Sequence, residues 1–282
     1  MPGEIFPILA VCLLLAAPLD AQQVVFSHRA YAAQGRTYQQ LWIWTPEGGE
    51  PKQISHSRRD HRSPTCDADG RHTLFDSQND DLTITRWRLD RTTGAEERVD
   101  ATGPSALHDA GPSPTPTACD ADTAQVSPDR TRIACVVTGT DVLIADAPTR
   151  DPIVRVPFGQ RYSTGEPYAP WPMQISWSPD GRTLLVGNYG EHGSSTTGEL
   201  DYFLLDLEPR TWTRAFTGTD ALWLTPTLVV YITPRDLSPL TAGSAHSVWT
   251  AHLTAFYVTT HRSRPITSGL SNDLTPTVCS AR

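Results

Sequence analysis

The sequence predicts an all-β chain of repeated four-stranded units, and three observations carry that prediction. The first is residues 174–190, QISWSPDGRTLLVGNYG, which read as a strand, a tight turn at Ser178-Pro179-Asp180-Gly181 and a second strand. Pro179 pre-sets φ at the first turn corner, Asp180 tolerates the bend, and Gly181 supplies the positive φ that other residues resist. Leu184, Leu185 and Val186 form the unbroken apolar run of a strand covered on both faces. The second observation is that this hairpin recurs in degraded form. Residues 63–77 keep Asp69-Gly70, residues 125–137 keep Ser127-Pro128-Asp129 but carry Arg130 at the glycine position, and residues 221–232 have a shortened turn. The third is a regular succession of strands after each hairpin. An apolar or aromatic strand comes next (41–44, 82–89, 142–144, 202–205, 247–249), and then a more polar one (51–55, 96–99, 153–156, 211–216, 264–267).

Repeats of roughly 40 to 60 residues that each form one small antiparallel sheet are the mark of a β-propeller. One such sheet has too little core to stand alone, so the units bury their faces against each other around a ring. About five four-stranded blades are expected. Residues 100–123, rich in Pro, Ser, Ala and Gly, read as a long loop; an irregular blade hidden there makes six. Residues 268–282 stop where other copies turn into their second strand, and Gln23-Val24-Val25-Phe26-Ser27-His28 supplies the missing one. Thr275-Pro276-Thr277-Val278-Cys279 also echoes Ser63-Pro64-Thr65-Cys66. The expectation is a shared blade in which N- and C-terminal strands pair, leaving no open edge.

The residues Trp177-Ser178-Pro179-Asp180-Gly181-Arg182, together with Gln40-Leu41-Trp42-Ile43-Trp44 and Lys52-Gln53-Ile54-Ser55, resemble the WD40-like PD40 repeats of the TolB family. The resemblance spans most of the chain after residue 22 and concerns the propeller part of that family. It implies a role in an envelope complex at the outer membrane of Gram-negative cells, with a protein or peptide as partner.

Residues 1–21 carry an apolar core over 8–17 and a small-x-small pattern at Leu19-Asp20-Ala21, which reads as a cleavable secretory leader before a propeller domain over 22–282. Val11 before Cys12 makes a poor lipidation site. The expected location is therefore periplasmic or secreted, with no membrane span, and the expected state is a monomer. A formal charge of −8 speaks against a nucleic-acid partner. Four cysteines outside the leader, Cys66, Cys119, Cys135 and Cys279, permit two disulfides in three pairings. Cys66 and Cys279 hold equivalent places in neighbouring repeats, so a Cys66–Cys279 bridge would rivet the ring at its closure, and a Cys119–Cys135 bridge would close a local loop. Four buried free thiols are the alternative.

The motifs favour recognition over chemistry. His56, Arg58, Arg59 and His61 cluster in one connection without a fixed ligand face, and Asp67-Ala68-Asp69-Gly70 lacks the later ligands of a calcium loop. No metal and no cofactor is expected. There is no G-x-S-x-G elbow, P-loop, G-x-G-x-x-G or CxxC pair. Most tryptophans fall in strands, as core. Trp171 instead lies with Tyr162 and Tyr168 in a Pro-rich connection of the kind that carries recognition on a rigid frame. That connection, residues 187–198 with Tyr189 and His192, and the His56–His61 cluster are the expected partner-binding loops. The reading is a non-catalytic binding scaffold. The alternative is a glycan- or peptide-directed hydrolase at the central channel, which facing acids or a His–acid–Ser set would favour.

Overall fold

The computed structural model describes residues 22–30, 37–47, 49–79, 81–99, 124–137, 141–158, 172–188, 199–236 and 249–280. Residues 1–21, residues 100–123 with Cys119, and Tyr162, Tyr168, Trp171, Tyr189 and His192 lie outside these. The described residues contain nineteen strands and no helix. In chain order they are β1 (Gln22–Ala30), β2 (Gln40–Trp44), β3 (Lys52–Gln53), β4 (Arg62–Cys66), β5 (His72–Gln78), β6 (Ile84–Asp90), β7 (Glu96–Arg98), β8 (Gln125–Val126), β9 (Arg132–Val137) and β10 (Asp141–Asp146). They continue as β11 (Pro152–Pro157), β12 (Pro172–Trp177), β13 (Thr183–Asn188), β14 (Leu200–Asp206), β15 (Thr211–Thr225), β16 (Leu228–Asp236), β17 (Trp249–Tyr257), β18 (Arg262–Pro265) and β19 (Ser271–Ser280).

Antiparallel pairing sorts them into five four-stranded units. Two are separate sheets, β4-β5-β6-β7 (unit one) and β8-β9-β10-β11 (unit two). The others share one eleven-stranded sheet: β12-β13-β14 with the first half of β15 (unit three), the second half of β15 with β16-β17-β18 (unit four), and β19-β1-β2-β3 (unit five). The N- and C-terminal strands pair antiparallel from Gln22↔Ser280 to Ala30↔Ser271, as the sequence predicted. The sheets themselves do not close, since the shared path ends on β12 and β3. The second apolar strand of unit four differs from expectation: it is β17, over Trp249–Tyr257, so the forecast placed its start on residues mostly outside the described set.

The units stack face to face, and period-two alternation supplies the stacking. In β13, Leu184 and Val186 point into a cluster with Ile144 of unit two, whereas Leu185 joins a cluster with Trp223 and Tyr231 of unit four. In β1, Val24 and Phe26 pack against Val230 and Leu253 of unit four, while Val25 packs with Phe75 and Leu89 of unit one. Four apolar clusters thus fill the junctions two–three, three–four, four–five and five–one. Both faces of the middle sheets are covered, which is why their strands read as continuous apolar runs. Indole N–H groups stitch the same junctions: Trp177 donates to the Gln125 carbonyl at 2.8 Å and Trp223 to the Ser176 carbonyl at 3.3 Å.

The predicted turn chemistry appears in full in two of the copies. At residues 178–183, Gly181 (φ 70°) donates to the Ser178 carbonyl, the Ser178 hydroxyl to Asp180, and Thr183 N–H to the Ser178 oxygen. Residues 127–132 repeat every one of these bonds, with Arg130 forced to φ 60° in place of glycine. Because a side chain resists that conformation, Arg130→Gly should raise stability by about 1 kcal/mol, read as an upward shift of the thermal midpoint.

Unit three passes into unit four without a loop. β15 turns a corner just after Gly218, where Asp220 takes φ 50° and the register against β16 shifts between Thr219 and Leu222. An added Cβ on Gly218 would lie 2.6 Å from the Ile232 carbonyl oxygen and 2.5 Å from the Tyr231 ring. A backbone oxygen cannot step aside as a side-chain tip can. Gly218→Ala should therefore cost about 1–3 kcal/mol, measurable by denaturant unfolding.

Candidate functional site

Antiparallel topology gives each unit two unlike ends. Tight turns, such as 67–71, 127–131 and 178–182, close one end, and the longer connections leave from the other. The 54–61 connection, between β3 and β4, belongs to the second kind and holds the described members of the predicted site.

Its residues divide sharply. His61 is fully buried and stacks on Phe75 with centroids 4.4 Å apart. Its Nδ1 faces the carbonyls of Gln39 (3.0 Å) and Arg59 (2.9 Å), and its Nε2 lies 2.9 Å from Glu96. The Ser57 hydroxyl donates to the other Glu96 oxygen at 2.9 Å, and the Arg59 guanidinium lies 3.5 Å from Glu96 while covering the Trp87 ring at 3.6 Å. His61 and Arg59 therefore hold the connection down rather than reach outward, and the segment is a packed one rather than a solvated connector. His56 and Arg58 are exposed.

Ser57, His61 and Glu96 are a serine, a histidine and an acid in contact, but not a proton relay. In a relay the serine bonds one imidazole nitrogen and the acid the other. Here Ser57 (3.4 Å) and Glu96 share Nε2, and Nδ1 is spent on backbone carbonyls. Burial alone would push the Glu96 carboxyl up; the hydrogen bonds from His61 and Ser57 and the Arg59 charge outweigh it and hold it below the usual range. A depressed carboxyl stabilises the fold above its unfolded pKa, about 4.3, and that contribution is lost as pH falls through the folded value. Glu96→Gln should therefore flatten the acid limb of the stability–pH curve below about pH 4.3 while removing stability at neutral pH.

Beside this anchor lies an open cleft of about 340 Å3 lined by residues of β1, β2, β3 and the connection. Its inner wall is His28, whose Nδ1 is 2.5 Å from Asp273 on β19. Asp273 is fully buried and also accepts the Leu253 N–H at 2.9 Å and the Thr267 hydroxyl. With Nδ1 committed to the carboxylate, Nε2 is the nitrogen left for the cleft. Trp42 lies against His28, centroids 4.7 Å apart, and His56 and Arg58 stand at the rim. Neither makes a hydrogen bond or ion pair with described residues. The sequence offered no direct sign of the His28–Asp273 pair, whose members are 245 residues apart; a carboxylate inside a strand, where Asp is disfavoured, was the one available cue.

At the turn end, Cys66 and Cys279 form a disulfide with Cα atoms 5.5 Å apart. Cys135 is also disulfide-bonded, to a partner outside the described residues. Arg91 spans the same seam, donating to Gln23 (2.9 Å) and to the Ser280 (3.1 Å), Arg71 (3.2 Å) and Gly70 carbonyls. Asp67, Asp69 and His72 come together nearby, but Asp69 is occupied by the Arg71 and His72 N–H groups and the His72 ring, which hold its carboxyl well below the usual range.

No family model and no curated protein matches the sequence. Among solved structures, TolB from Acinetobacter baumannii is similar at 14% identity and TM-score 0.34, over 86% of this chain and 52% of that one. The chain thus spans about half the length of that TolB. A putative 6-phosphogluconolactonase from Bacteroides uniformis is similar at 11% identity and TM-score 0.48, over 90% of this chain and all of that one. The β-propeller domain of the Trilobed protease from Pyrococcus furiosus is similar at 12% identity and TM-score 0.33, over 74% and 58% of the two chains. These names span a TolB, a lactonase and a protease domain and assign no activity to this chain.

Proposed function

We propose that the five units are the blades of a TolB-like β-propeller, fastened where β1 meets β19, which serves as an exported, non-catalytic scaffold and presents its long connections to a protein or peptide in the cell envelope. The observation that carries this reading is the division of ends. Four apolar junctions make the sheets a stiff frame, and the strand ends from which the longer connections leave lie opposite the tight turns, where loops can vary without disturbing the core. The Tyr162–Trp171 connection is the proposed contact, together with the exposed His56 and Arg58. The test is capture from envelope extract by the intact chain and by a variant whose residues 162–172 are replaced with a Gly-Ser linker. Loss of a partner in the variant is expected; equal recovery of every partner sinks the proposal.

The hydrolase alternative draws on one observation, the histidine held by a buried carboxylate beside a cleft. Covalent labelling of a cleft serine by a fluorophosphonate probe would favour it over the scaffold.

A further inference from the structure

We propose that the cleft between His28, Trp42 and Arg58 binds a sugar ring bearing one carboxylate, of the hexuronate class. This goes beyond the scaffold reading and stands whether or not the five units form a ring.

Charge comes first. In a chain of formal charge −8, the described residues lining this cleft include no Asp or Glu. Arg58 contributes a permanent positive charge, and its planar fork matches a carboxylate in two parallel hydrogen bonds. His56 stands beside it, and neither is engaged by a described residue. Elsewhere around this connection the cations are already matched: Arg59 lies by Glu96, and Arg29 and Arg62 share Asp60. One permanent charge suits a ligand with one negative charge.

The rest of the wall suits a ring. The Trp42 indole, half-buried, offers an aromatic platform backed by His28. The negative face of an indole attracts the weakly positive C–H groups of a pyranose. Gln53 donates its Nε2 to the Ser55 carbonyl at 2.7 Å, which leaves its amide oxygen to accept from a hydroxyl. His28 Nε2 is a second such partner, fixed in orientation by Asp273. The volume, about 340 Å3, lies at the small end of ligand pockets, which run from about 300 to 1,000 Å3, and fits one ring rather than an extended chain. An acidic peptide would offer the same charge but has no use for the flat platform beside two hydroxyl partners.

Isothermal titration calorimetry on the full chain tests this with glucuronate, galacturonate, glucose, acetate and a capped single-glutamate peptide. The expected result is saturable binding of a hexuronate at least tenfold tighter than glucose, acetate or the peptide. Arg58→Ala should weaken it at least tenfold, Arg58→Lys less, and His56→Ala severalfold. Both side chains are exposed, so the variants should keep the wild-type melting temperature, and that is measured alongside. No saturable hexuronate binding, equal binding of glucose, tighter binding of the peptide, or an unchanged affinity in Arg58→Ala would each overturn the proposal.

Discussion

A chain lacking residues 271–282 should lose its cooperative thermal transition altogether. β19 pairs with β1 along its whole length, packs against β4 and β17, and supplies Asp273 and Cys279, both buried. Its removal strips β1 of one hydrogen-bonding neighbour and leaves the Val24 and Phe26 cluster open beside a bare sheet edge. It also leaves His28 without its carboxylate and Cys66 without its disulfide. The combined loss exceeds about 5 kcal/mol, which reaches the range of a typical domain's entire stability. Circular dichroism melting and amide hydrogen exchange would read the result; a truncated chain with an unchanged midpoint would show that the terminal pairing holds nothing together.

The second large effect is expected from Cys66→Ala/Cys279→Ala. The bridged residues are 213 positions apart, and a cross-link over so long a loop removes about 5 kcal/mol of loop-closure entropy from the unfolded chain. Unlike the truncation, this change leaves β19 in place, with its strand pairing, the Asp273 contacts and the Arg91 clamp. The folded structure should persist, with a denaturation midpoint displaced downward and the slope raised, because the unlinked unfolded chain exposes more surface. A midpoint loss equivalent to less than about 1 kcal/mol would mean that the non-covalent contacts at the seam already confine the unfolded chain.

Much of this architecture was legible because it is local. The Ser-Pro-Asp-Gly turn, its degraded copy at Arg130 and the apolar run at Leu184–Val186 each arise from residues a few positions apart, and repetition turned them into units. The pairing of β1 with β19 was legible for a related reason: a unit lacking a strand at one terminus could be completed from the other. The strand expected at 247–249 runs on to Tyr257, a length not legible because Thr250, His252 and Thr254 interrupt its apolar pattern. Leu82, expected in a strand, sits at φ 67° in the turn before β6. Cysteine count alone left three pairings; the equivalent places of Cys66 and Cys279 in neighbouring repeats pointed to their bridge, and the structure contains it. The interior polar pairs were out of reach. His61 meets Glu96 from 35 positions away, and His28 meets Asp273 from the far end of the chain. Each residue alone looks like an ordinary polar surface group.

The unbroken run of β15 through two neighbouring units sets a mechanical limit. Units three and four share a backbone, so neither can swing or peel away from the other without bending a strand already hydrogen-bonded on both sides of the Gly218 corner. Motion between sheets is left to the seams that side chains alone fill. Thermal breathing should therefore concentrate away from this corner, and the two fused units should behave as the anvil against which the others flex.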